Sequence, residues 1–328
     1  MKDTLTDVTG LEVGHQSDLA AGTGCTVVLA RGGAVGGVDV RGAAPGTRET
    51  DLLRAENSVE KIHAVVLSGG SAYGLDAASG VMRFLEERGV GHRVGDFVVP
   101  IVPGAIIFDL GTGANVRPSG GDGYTAAIAA SSDPPEQGTV GAGVGATVGK
   151  VLGRGAAMKG GVGCASMDLG DGVVLAAIVV VNAIGGVHDP DSGELLCGPR
   201  GEDGRLHDSI AVYADPHFGK RASAARTQAL GNTTIGVIAT TAVLTKSQAN
   251  RLATMTHDGL ALAIRPTHTP HDGDTMFALS TGYVDAPDEW IRLCALAPTV
   301  TARAVVNAVR HATSLHGFPS MSELAAYG

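Results

Sequence analysis

Apolar residues in this chain come in short runs broken by glycine, and most of these runs read as strands. Residues 25–30 and 33–40 form two such runs in succession. Residues 63–67, His-Ala-Val-Val-Leu, predict a buried strand, and the unbroken apolar run 173–181 predicts one buried on both faces. An apolar, threonine-rich strand is expected over 234–243 and another over 275–281. Residues 101–110 and 139–151 look like strand material with glycine interruptions. Helical spacing is clearest over 72–88, where Leu75, Ala78, Val81, Met82 and Leu85 fall on one face and Gly89 supplies a stop. Shorter helices are expected over 51–60 and 124–131, with longer ones over 246–264 and, after Pro298, over 299–315. Residues 189–209 are polar and turn-rich, and 215–230 has few core signals and reads as an exposed connector. No internal repeat is evident. Strands outnumber helices while the helices stay substantial, which fits an α+β fold with layered sheets.

Composition narrows this picture. A chain of 328 residues forms one large domain or two ordinary ones. Hydrophobic residues at 44% against 17% charged exclude a disordered chain. Aromatic residues are only 4% while glycines number 49, so the core must rest on Val, Ala, Leu and Ile with close backbone approaches. The net charge of −9, with no Lys/Arg cluster on any expected element, argues against nucleic acid as a partner. Cys25, Cys164, Cys197 and Cys294 show no metal or redox spacing and read as free thiols in a reducing compartment. Acids near the N-terminus do not suit a signal peptide, and the longest apolar run is too short to span a bilayer. A soluble cytoplasmic protein is expected.

One segment carries definite chemistry. Leu230-Gly231-Asn232-Thr233-Thr234 delivers a hydroxyl residue, behind a flexible Gly-Asn pair, to the mouth of the strand that follows. Cleavage before Thr233 would expose a threonine whose α-amine can activate its own hydroxyl. The alternative is an ordinary turn before a strand. Further on, Asp272 and Asp274 flank Gly273 just before the 275–281 strand. In extended backbone both carboxylates project to one side, where they could hold an ammonium and orient a hydroxyl. A solvated turn is the alternative. A third reading takes His268, His271, Asp272 and Asp274 as metal ligands of a hydrolase, although no remote His/Cys pair completes a zinc set.

Other motifs are weaker. Gly141-Ala142-Gly143-Val144-Gly145-Ala146 fits a loose dinucleotide fingerprint but is followed by Thr147-Val148-Gly149-Lys150 rather than a helix. Ser68-Gly69-Gly70-Ser71-Ala72-Tyr73-Gly74 joins strand to helix, where backbone N–H groups could hold an anion or Ser71 could simply cap the helix. Lys150 and Asn182 stand at the ends of apolar runs. They are candidates for a polar site, with snorkelling and a strand-end turn as alternatives.

Taken in order, these pieces resemble one family, the L-aminopeptidase/D-esterase (DmpA-like) hydrolases. It includes β-aminopeptidases and the nylon-oligomer (6-aminohexanoate) endo-hydrolase. The resemblance rests on Thr9-Gly10-Leu11-Glu12-Val13-Gly14-His15, the Ser68 to Gly80 loop and helix, and Ile107-Phe108-Asp109-Leu110. It continues through Gly141 to Lys150, Val179 to Asn182, Gly231 to Thr234 and Asp272 to Thr275.

The resemblance implies a single large domain, 1–328, with a four-layer αββα sandwich, cut by itself into 1–232 and 233–328. It makes Thr233 the nucleophile, Asn232–Thr233 the processed bond, and Asp272 and Asp274 its orienting acids. Lys150 and Asn182 would line the site, with Asn182 helping to hold the oxyanion, and Ser71, Tyr73 and Phe108 would lie near substrate. It implies no cofactor and no metal, a small amide or peptide substrate, and a homo-oligomer, a tetramer in the family. The aminopeptidase branches use Ser as nucleophile, with Ser and Glu where this chain has Asp272 and Asp274. Thr with two Asp is closer to the nylon-oligomer branch. Phe108 stands where characterised members of both branches carry tyrosine, so a phenolic hydroxyl is missing. A catalytically inactive member with the same fold is the remaining alternative.

Overall fold

The computed structural model describes residues 1–218 and 231–325. Its main element is a nine-stranded sheet. The strands are β1 (Glu12–Asp18), β2 (Thr23–Val40), β3 (Thr47–Arg48), β4 (Lys61–Ser68), β5 (Gly104–Ile106), β6 (Gly161–Gly170), β7 (Val173–Asn182), β8 (Thr233–Ala242) and β9 (Thr275–Val284). Their order is β6-β7-β8-β9-β2-β4-β5-β3, with β1 paired to β2 off this path. Pairing is antiparallel except for β8 with β9 and β4 with β5, which are parallel. The helices are α1 (Ala77–Glu86), α2 (Gly120–Ala129), the short α3 (Ser209–Ala214), α4 (Lys246–Ala263) and α5 (Trp290–Arg310), before a last turn of helix at Met321–Ala325.

Alternation along the strands divides the interior into three cores. Ala177, Val179 and Val181 of β7 pack with Leu252 and Leu260 of α4 and Val305 of α5. Their neighbours Ala176, Ile178 and Val180 face the other way and meet Val28 of β2 and Val65 and Leu67 of β4. The opposite faces of those two strands, through Val27, Leu29 and Val66, bury Val81 and Phe84 of α1 and Ala126 of α2. A period of two thus gives each buried strand two apolar faces. The sheet folds over on itself, with helices outside both leaves. The long β2 joins the leaves, since residues 23–29 pair with β1 and β4 while residues 35–40 pair with β9. The result is the expected four-layer α+β sandwich in one domain.

Several boundaries differ from the sequence expectations. Residues 25–30 and 33–40 are one strand with a register shift between Leu29 and Ala34. Residues 51–60 contain only a 3-10 turn, Asp51–Leu53. Residues 139–151 are not a strand. Positive φ at Gly141 and Gly149 breaks the extension, leaving a 3-10 turn and the two-residue Thr147–Val148. The helix expected after Pro298 begins at Trp290 and contains the proline. Its buried stripe runs back through Ala297 to Leu293. Burying Leu293 contributes about 2 kcal/mol, which offsets much of the ~3 kcal/mol that an interior proline costs. Strands β1 and β6 were not foreseen. Most of the connector expected over 215–230 lies outside the described residues.

Among the described residues no helix is long and apolar enough to cross a membrane. All four cysteines are free, and burial pushes the thiols of Cys25, Cys164 and Cys197 up to about 12, far from reactivity.

Candidate active site

Strand direction builds the site. Because β8 and β9 are parallel, they begin at the same end of the sheet, and Ile235 of β8 pairs with Thr275, the first residue of β9. Strand β7 runs antiparallel to β8, so its last residue reaches the same end, where Asn182 pairs with Thr233. One residue before β8, Asn232 bridges Asp272. Three segments far apart in sequence therefore meet at one sheet end.

Thr233 is buried there, 4% exposed, and its hydroxyl donates to the carbonyl oxygen of the preceding residue, Asn232. The Gly273 N–H donates to the same oxygen at 3.0 Å. That length lies within the range an oxyanion donor would need. A side chain at Gly273 would not fit, because its Cβ would lie 2.7 Å from the Ala44 carbonyl oxygen and 3.0 Å from Thr233 Oγ1. The peptide upstream is held as well. The Gly231 carbonyl accepts from Asn182 Nδ2 at 3.2 Å and from Lys150 Nζ at 3.4 Å. Gly231 has φ +113°, and a Cβ there would run into the Phe108 ring. Only glycine suits both conditions.

Lys150 and Asn182 form one polar unit. Lys150 Nζ donates to Asn182 Oδ1 at 2.7 Å and to its carbonyl at 3.1 Å. Asn182 Oδ1 also accepts from the Thr147 N–H, while Nδ2 donates to the Phe108 carbonyl as well as to Gly231. The lysine head is therefore inside the protein, and neither snorkelling nor a strand-end turn describes these residues. Burial pushes the Lys150 ammonium down to about 7; neighbouring Arg154 pushes it the same way, and Asp272 and Asp109 partly restore it. Asn182 supports the carbonyl of Gly231, one residue upstream of the Asn232 oxygen that the oxyanion role would address.

The two acids are pushed apart. Asp272, in contact with Thr269 N–H at 2.6 Å, is raised to about 6 by burial and by the nearby Asp274 charge. Asp274 is almost fully buried, which alone would raise it, but hydrogen bonds and charge from His268, with Thr234 and Thr267, hold it below the usual carboxylate range. The surroundings thus separate the two acids, holding Asp274 below and Asp272 above the ordinary carboxylate range. Backbone bonds from Arg41, Gly42 and Ala44 to the carbonyls of residues 272 and 274 brace the turn.

Thr233, Asn232, Asp272, Asp274, Lys150, Asn182 and Phe108 are brought together. Ser71 and Tyr73 are not joined to this group by any described bond. Ser71 does not cap its helix but sits at φ +53°, and Tyr73 is exposed beneath the Arg117 guanidinium, 4.3 Å from its ring centre. His271 is exposed, and among the described residues no group of three or more His, Cys, Asp or Glu is arranged to hold a metal ion. The carbonyls of Gly143, Val144 and Ala146 hold the buried Lys159 ammonium at 3.1, 2.8 and 2.7 Å, so the glycine fingerprint receives a cation rather than a phosphate.

Two residues quoted in the sequence reading turn out to have supporting roles that it did not assign. His268 was considered only as a metal ligand, yet its ring bonds Asp274. Asp109 lies buried next to Phe108 and accepts from Gly70 N–H and Thr23 Oγ1, each at 2.7 Å. Nothing local in the sequence marks either contact.

The model of Peptidase family S58 matches residues 3–322. An uncharacterised aminopeptidase of Mycobacterium tuberculosis is 46% identical, with 98% of each chain covered. A 6-aminohexanoate-oligomer endohydrolase of Kocuria sp. is 33% identical across 86% of this chain and 76% of its own. Among solved structures, the L-aminopeptidase D-Ala-esterase/amidase of Ochrobactrum anthropi, described as a variant of the Ntn hydrolase fold, superposes with a TM-score of 0.70 at 19% identity. That match covers 95% of this chain and 86% of the other. The chain belongs to peptidase family S58 and is a hydrolase on an Ntn-hydrolase-like fold.

Proposed function

We propose that the protein is a self-processing threonine amide hydrolase. The observation that carries this reading is the Thr233 hydroxyl lying against the Asn232 carbonyl, whose oxygen already receives the Gly273 N–H. In the intact chain the Thr233 oxygen attacks the Asn232 carbonyl carbon, and the negative charge that develops on the carbonyl oxygen falls on the Gly273 donor. No free α-amine exists at this stage, so another group must take the hydroxyl proton. Asp272, which bridges Asn232 through its backbone and whose carboxyl is raised to about 6, is assigned that role. The C–N bond breaks as its nitrogen gains a proton, leaving an ester on the Thr233 oxygen. Water hydrolyses that ester and releases the carboxylate of residue 232.

The new α-amine of Thr233 has an ordinary pKa of about 7.7–8.0 and serves as base in turnover. The β-branched side chain keeps the hydroxyl in a narrow range of directions. A substrate amide acylates Thr233, its amine leaves, and water frees the acid. Lys150 and Asn182 hold the carbonyl that lies where Gly231 lies in the intact chain, and Asp274 fixes the backbone after the nucleophile.

The threonine nucleophile with two aspartates, and the 33% identity to a 6-aminohexanoate-oligomer endohydrolase, support linear amides as substrates. Phe108 in place of tyrosine leaves the choice among them to experiment. A soluble cytoplasmic homo-oligomer is the accompanying reading, and it rests on composition and resemblance.

The test is a panel of an amino-acid p-nitroanilide, a β-peptide and a 6-aminohexanoate oligomer, each assayed with and without a chelator. Hydrolysis of at least one amide, unchanged by the chelator, is expected. Activity abolished by the chelator and restored by a divalent metal contradicts the threonine mechanism.

A further inference from the structure

Asp274 is the most heavily bonded carboxylate of the site. Its Oδ1 accepts from the Thr234 N–H at 2.6 Å, so it grips the backbone immediately after Thr233. Its Oδ2 accepts from three donors, His268 Nδ1 at 2.7 Å, Thr267 Oγ1 at 3.0 Å and the His268 N–H at 3.1 Å. The imidazole bond is the shortest of the three.

His268 is itself held in an unusual way. It is one of six non-glycine residues with positive φ among the described residues, at +55°, a conformation that persists where its surroundings enforce it. Its ring meets the His257 ring edge to face, with centroids 4.9 Å apart. His257 lies on α4, is 1% exposed, and bonds the Asp39 carbonyl through Nε2 at 3.1 Å. An unbroken line therefore runs from α4 through His257, His268 and Asp274 to the Thr234 N–H.

We propose that His268 is a positioning residue for the reaction at Thr233: its Nδ1–H fixes the Asp274 carboxylate, which in turn fixes the backbone carrying the nucleophile. This rests on the reading of Thr233 as nucleophile. The metal-ligand role considered from sequence is replaced by this one, because the ring nitrogen nearest the site is committed to Asp274.

Two substitutions separate the hydrogen bond from the bulk of the ring. In His268→Asn the side-chain amide nitrogen can occupy the place of imidazole Nδ1, and asparagine tolerates positive φ. In His268→Gly the backbone conformation is free of strain but the donor is gone. His268→Gly is expected to lower the self-cleavage rate and kcat about 100-fold with KM little changed, and His268→Asn to stay within about threefold of wild type, since the loss comes from misplacing a reacting group. Added imidazole should restore part of the His268→Gly activity. Equal rates for His268→Gly and wild type, or an equal fall in both variants, overturn the proposal. Thr233→Ala, run alongside, separates the outcomes. If that variant still cleaves, the site reading itself fails. If it is inert while His268→Gly is unimpaired, only the role of His268 fails.

Discussion

Thr233→Ala is expected to purify as one unbroken chain without amidase activity, while Thr233→Ser cleaves itself and turns over. The reasoning is local. The Thr233 hydroxyl is the nucleophilic side chain placed against the Asn232 carbonyl, and Gly273 has its N–H already on that oxygen. Removing the hydroxyl leaves the oxyanion donor, the two acids and Lys150 in place with no oxygen to acylate. Loss of a nucleophile costs on the order of 10⁶ in rate where a covalent intermediate is obligatory, so the residual rate falls below detection on a gel. Serine keeps the hydroxyl but not the methyl that restrains χ1, which predicts slower processing, not its loss. Thr234 does not substitute, because its N–H is bound to Asp274 and its side chain belongs to the next position of β8.

The second large effect is expected at Gly231, a residue with no side chain to take part in chemistry. Gly231→Ala should halt or slow self-cleavage at least about 100-fold, as expected when a reacting group is displaced by an ångström or so. Two independent conditions oppose alanine. The φ of +113° lies where L-residues are strained, and the new methyl would enter the Phe108 ring. The segment can relieve this only by moving, which breaks the bonds from Lys150 and Asn182 to the Gly231 carbonyl. The scissile carbonyl, one residue on, then leaves the Gly273 N–H. The variant should remain folded, since Gly231 is outside the three cores. Mass spectrometry of the purified protein reads the outcome, and processing at the wild-type rate would show that the Phe108 contact does not constrain the reacting segment.

How much of this was legible in the sequence depended on the distance over which each feature is determined. Thr233 behind Gly231-Asn232, and Asp272-Gly273-Asp274 before a strand, are local patterns. Their meeting is not local. It follows from the parallel pairing of β8 with β9, which no periodicity within either strand encodes. Lys150 and Asn182 looked like polar ends of apolar runs because they bond each other across 32 residues and share an acceptor, the Gly231 carbonyl, that lies 49 or more residues downstream. His268 was visible as a residue but not as a partner of Asp274, since a histidine six residues from an acid has no fixed geometry until the turn between them is folded.

The fold shows the same division. Strand β7 was evident from continuous apolar residues, whereas its neighbour β6, Gly-Val-Gly-Cys-Ala-Ser-Met-Asp-Leu-Gly, carries little β-propensity and is a strand because β7 pairs along it. Pro298 misplaced the start of α5 because a local stop signal was outweighed by the buried stripe through Leu293.

The central claim is that this chain makes its own nucleophile. Intact mass measurement of the freshly purified wild-type protein, followed over time and combined with N-terminal sequencing, tests it most directly. The expected result is conversion of the full chain into two fragments, one ending at Asn232 and one beginning with Thr233, in step with the appearance of amidase activity. A chain that stays whole while hydrolysing amides, or one that is cut at any other bond before becoming active, contradicts the account.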